Sequence, residues 1–85
     1  MTVISYSLPV KSVVTLKVYN VLGQEVASLI DQEEVAAGTR EIGFDADNLA
    51  SGVYFYRIVA EGIHDERSEA APQTFVGVKK LLLMR

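Results

Sequence analysis

No cysteine occurs anywhere in the 85 residues. That excludes a disulfide framework and any thiolate metal site. Histidine is nearly absent too, with a single copy at position 64. A zinc site needs three or four ligands, so this histidine has no imidazole or thiolate companion. Basic charge is in deficit: 8 Lys and Arg stand against 11 Asp and Glu, a net charge of −3. Nucleic acid calls for a basic footprint, so it is not an expected partner. Long apolar runs are missing as well. Residues 81–84 form one of the longest, far short of the roughly 20 apolar residues of a membrane-spanning helix. Residues 2–10 have no basic start and no long apolar core, so they do not read as a signal peptide. An extracellular destination would therefore require a longer precursor with its own leader.

Chemical motifs are equally scarce. Six serines (Ser5, Ser7, Ser12, Ser28, Ser51 and Ser68) occur without a Gly-x-Ser-x-Gly elbow, and there is no phosphate loop. His64-Asp65-Glu66 joins the histidine to two carboxylates in a polar stretch that reads as a solvated loop. Asp45, Asp47 and Asn48 offer three oxygen ligands at loose spacing. Asp and Asn also bond their own backbone in turns, and that is the preferred reading. Tyr19, Phe55 and Tyr56 are aromatic enough for a sugar platform, but strands favour aromatics for packing. No cofactor and no metal are expected.

What the chain does have is period-two alternation over almost its whole length. About half of the residues are apolar and under a quarter are charged, as in a folded domain. One domain of this size buries about 60–65% of the surface its unfolded chain exposes. Residues 3–8 read as a first strand stopped by Pro9. Residues 13–20 are the clearest strand, with Val14, Leu16 and Val18 directed to the core. A tight connection follows over 20–24, where Gly23 supplies a positive φ. Residues 25–30 continue as a strand, and 31–37 read as an acidic loop. A strand over 38–45 places Ile42 and Phe44 inward. Residues 45–51 form a corner with room for one helical turn. Residues 52–60 are apolar on both faces, as in a central strand. A long loop is expected over 61–73 and a last strand over 74–84. Short strands at this spacing predict an all-β antiparallel sandwich of about seven strands.

Two constellations stand out. Leu49-x-x-Gly52-x-Tyr54 places a tyrosine just after a corner. Such a residue buries its ring and bonds its hydroxyl to upstream backbone. Lys79-Lys80 before a hydrophobic terminus has no simple structural account. Charges can protect an edge strand, and a strand end with exposed backbone is also a docking element.

Three blocks carry a resemblance: residues 15–26 (Thr-Leu-Lys-Val-Tyr-Asn-Val-Leu-Gly-Gln-Glu-Val), residues 49–57 (Leu-Ala-Ser-Gly-Val-Tyr-Phe-Tyr-Arg), and residues 79–85 (Lys-Lys-Leu-Leu-Leu-Met-Arg). In this order they resemble the C-terminal sorting domain of proteins exported by the type IX secretion system. The first two are also similar to the immunoglobulin-like domain of flagellar hook-capping proteins. The connection over 61–73 is longer than is usual in the family. The resemblance implies an immunoglobulin-like fold and a single non-catalytic domain over 1–85, excised from a larger secreted protein. It implies recognition by an outer-membrane translocon and its shuttle proteins, and removal at the cell surface by a sortase-like peptidase. The sorting signal would be Lys79, Lys80, Leu81, Leu82, Leu83, Met84 and Arg85, with Gly23, Leu49, Gly52 and Tyr54 structural. The alternatives are an accessory carbohydrate- or protein-binding module, or a structural spacer, of an extracellular enzyme.

Overall fold

The computed structural model describes residues 2–63 and 73–84. Within them are six strands and no helix: β1 (Thr2–Leu8), β2 (Ser12–Tyr19), β3 (Glu25–Val35), β4 (Gly38–Phe44), β5 (Gly52–Gly62) and β6 (Thr74–Leu83). β1 and β4 form a two-stranded sheet, and the other four form a sheet in the order β3-β2-β5-β6. Every pairing is antiparallel.

The alternation read in β2 sets the core. Val14, Leu16 and Val18 are completely buried, while Thr15, Lys17 and Tyr19 are partly exposed on the other face. Their partners on β5 are Ala60, Ile58 and Tyr56, all on the inner face. β5 lies between β2 and β6, which explains its apolar residues on both faces. Ile4 and Leu8 of β1, and Phe44 of β4 with Ile42 packed behind it, join the same buried cluster. Both sheets thus contribute to one core. Among the described residues Ser12 is the one buried polar residue. Its hydroxyl donates to the Val10 carbonyl at 2.9 Å, which removes the cost of burying it.

Two expectations need correction. Residues 31–35 are not loop: β3 runs on through Asp31, Glu33 and Glu34 to Val35. The chain absorbs the change with bulges against β2 and a positive φ of 49° at Gln32. β3 is an edge strand, so its carboxylates reach water without leaving the ladder. Likewise Glu61 and Gly62 belong to β5, and the Gly62 N–H donates to the Gln73 carbonyl at 2.7 Å. The six strands described compare with about seven expected. One long strand, a two-residue link and β4 use up residues 25–44, leaving no length for another strand there.

Candidate functional site

The corner before β5 is built from local hydrogen bonds. The Asp45 carboxylate accepts the Asp47 N–H at 2.9 Å, and the Leu49 N–H donates to the Ala46 carbonyl at 2.9 Å. This is a hydrogen-bonded turn, without the helical turn for which the sequence left room. Leu49 packs against the core. Gly52 then starts β5 at φ 151°, where a side chain would be strained. Two residues on, Tyr54 is 8% exposed and its hydroxyl donates to the Ala50 carbonyl at 2.8 Å. The ring thus anchors in the core while its polar tip ties the strand to the corner.

A second compact turn joins β2 to β3. The Asn20 side-chain oxygen accepts the N–H groups of Leu22 and Gln24, at 2.9 and 3.0 Å. Its amide nitrogen donates to Gln24 Oε1 at 2.9 Å. Gly23, at φ 81°, donates its N–H to the Asn20 carbonyl. Behind the turn Lys17 and Glu25 form an ion pair at 2.8 Å. That hydrogen bond, with the carboxylate's charge, holds the Lys17 ammonium above its ordinary pKa.

The terminal block divides by strand alternation. Register places Lys79, Leu81 and Leu83 opposite Tyr56, Tyr54 and Gly52 on the inner face. Leu83 is buried and Leu81 packs against the core, whereas Lys79 is exposed at the rim. Lys80 and Leu82 lie on the outer face opposite Phe55 and Val53. Met84 is 80% exposed. Arg85 lies outside the described residues, as does His64-Asp65-Glu66. Tyr19 and Phe55 are cross-strand partners on the outer face, but Tyr56 packs into the core on the other, so the three do not form one row. Among the described residues no cluster of three or more His, Asp or Glu side chains is placed to hold a metal.

Sheet order brings the three sequence blocks to one pole. Tyr19 pairs with Phe55, which pairs with Lys80; Gly52 pairs with Leu83. The turn over 20–24, the corner over 45–51 and the strand end over 81–84 therefore share one end of the molecule. Thr2 is there as well, in a cleft of about 370 Å³ shared with Ala46, Leu49, Leu82 and Met84. Sequence reasoning missed two members of this pole. Val21 and Leu22 sit at the tip of the β2–β3 turn, and Leu22 is 79% exposed. The signal was present: apolar residues occupied a turn position that polar ones usually fill. They share this end of the molecule with the exposed Leu82 and Met84. Such an end can bind a partner.

A family model described as the secretion system C-terminal sorting domain matches residues 1–67. The chain belongs to that family, the sorting tails of type IX secretion. Such a tail is a C-terminal sorting signal, and it marks proteins that are exported to the cell surface or secreted as part of a larger precursor. The family is generally non-catalytic and acts through the type IX machinery. The match contains the blocks at 15–26 and 49–57 and ends before the block at 79–85. No curated protein and no solved structure matches the chain.

Proposed function

We propose that residues 1–85 form a single immunoglobulin-like sandwich that works as a non-catalytic address, excised from a larger secreted protein. It carries whatever cargo precedes it through type IX secretion. The observation that carries this reading is the family match across residues 1–67. The exposed apolar side chains at the end of the domain that holds residues 20–24 and 81–84, with Lys79 and Lys80 beside them, support it, because a signal read by other proteins needs side chains the core does not require. Lys79, Lys80, Leu82, Met84 and Arg85 are the recognition residues, joined by Val21 and Leu22. Leu81 and Leu83 hold the strand end in place from inside. Gly23, Leu49, Gly52 and Tyr54 keep the turn and the corner in register behind that surface.

The partners in this reading are the outer-membrane translocon, its shuttle proteins and a sortase-like peptidase. Thr2 lies in the same cleft as Leu82 and Met84, so the start of β1 and the end of β6 meet at one end of the domain. The test is a reporter fused ahead of this chain, with an N-terminal leader, in a type IX-competent cell. Surface delivery of the wild-type fusion, lost on deleting residues 81–85, is the expected result. Delivery that persists after that deletion refutes the placement of the signal and favours an accessory binding module.

A further inference from the structure

The four-stranded sheet has two free edges among the described residues, and they differ in kind. β3 is guarded. Its pairing with β2 shifts register three times, Gln32 has φ 49°, and Glu25, Asp31, Glu33 and Glu34 line it. Bulges and charges are the devices that keep an edge from pairing with another chain. β6 has no such bulge. Its ten residues pair with β5 in ten consecutive steps without a shift. Val76 and Val78 are exposed on its outer face, Val78 by 60%. On its inner face lies an open cleft of about 240 Å³ toward β1, bounded by Leu8, Tyr56, Ile58, Phe75, Gly77 and Lys79. Apart from Thr74, Lys79 and Lys80 the edge is apolar. A regular edge presents a row of unpaired N–H and C=O groups to a further strand.

From this contrast we infer that the outer edge of β6 is a strand-addition site for an extended segment of a partner protein. The charges specify the segment. Lys79 and Lys80 are neighbours, so they project to opposite faces. Two adjacent carboxylates on an added strand would also project to opposite faces, one meeting each lysine. Past the lysines, toward Thr74, the added strand meets Val78, Gly77, Val76 and Phe75. Apolar residues suit it there: those on the outer face cover Val76 and Val78, and those on the inner face enter the cleft beside Gly77. β3 of a second copy has the right charge but the wrong edge, because its bulges and Gln32 interrupt the ladder. The partner's membership of the export machinery rests on the sorting reading; the edge and its charge preference do not.

The probe is a synthetic peptide of about ten residues, the length of β6. It has one central Glu-Glu pair, with Val on both faces of the half that meets residues 75–78 and Thr in the other half. Two controls carry Lys-Lys at the centre or methyl groups on alternate backbone nitrogens. Binding is followed by fluorescence anisotropy and by amide shifts of the 85-residue chain. The Glu-Glu peptide should saturate and shift the amides of residues 74–82. The N-methylated peptide should not bind. The double variant Lys79→Glu, Lys80→Glu should bind the Glu-Glu peptide about tenfold more weakly, as expected for reversing two exposed charge pairs, and prefer Lys-Lys. No binding of the Glu-Glu peptide, or binding indifferent to N-methylation or to the charge swap, overturns the proposal. So does a concentration-dependent β6 shift without peptide, which assigns the edge to a second copy. Export of the wild-type reporter without peptide binding refutes strand addition and leaves the sorting reading standing. Failure of that reporter to be exported refutes the sorting reading, and the peptide result still decides the edge.

Discussion

Replacing Tyr54 by phenylalanine removes one hydroxyl and nothing else. That hydroxyl makes a single 2.8 Å bond to the Ala50 carbonyl, in a part-buried setting. A net hydrogen bond of this kind contributes about 1 kcal/mol, because the unfolded chain satisfies both groups with water. In an 85-residue domain this corresponds to a fall in melting temperature of about 4–8 °C. Tyr54→Ala empties the site of an aromatic ring that is 8% exposed, at a cost of about 3–5 kcal/mol. Total stability for a chain of this length is about 4–13 kcal/mol, so the alanine variant loses from about a quarter to all of it. Urea titration followed by circular dichroism measures both losses, with the m-value checking that the transition stays two-state. The phenylalanine variant should lie between wild type and alanine. If Tyr54→Ala melts like wild type, the ring and its hydroxyl do not anchor the corner, and the account of β5 is wrong.

Gly23→Ala should destabilise the domain by about 1 kcal/mol, since φ is 81° there and the space around it is open; thermal melting checks it. Alkaline pH should weaken the fold through Tyr6. Burial pushes its pKa above 10.0, with Glu33 adding to the rise and Arg40 opposing it. The folded form then holds its proton after the unfolded chain has begun to lose it, so this contribution is intact below pH 10 and declines above it. Tyr6→Phe should flatten that decline in a pH series of urea midpoints. Millimolar calcium or zinc should leave the melting temperature unchanged; a rise of several degrees abolished by Asp47→Ala would point to a metal site.

The parts of this fold that were legible in the sequence are those fixed by neighbours along the chain. Val14, Leu16 and Val18 announced their face because β2 is central and half of its residues must be buried. The corner before Tyr54 was legible because Gly52 and the tyrosine act over a few residues. β3 was read too short, since Asp31, Glu33 and Glu34, three acidic residues within four positions, look like a loop unless the strand is known to lie at an edge. The parts of the pole could be read, but that they share one end could not. Its assembly from the turn at 20–24 and the strand end at 81–84 depends on the order β2-β5-β6, which local alternation does not encode. Val21 and Leu22 were missed although their signal was local, two apolar residues at a turn.

In the proposed sorting function the exposed pole is read by the export machinery and is dispensable for folding. One paired measurement tests it on the variants Val21→Ser with Leu22→Ser, and Lys79→Glu with Lys80→Glu. Each is measured twice: melting of the purified domain, and the surface fraction of the fused reporter in a type IX-competent cell. All four side chains are exposed. Melting should therefore stay within about 0.5 kcal/mol of wild type, the usual range for surface changes. Surface delivery should fall sharply for both variants. Normal delivery by both, with normal melting, contradicts the account.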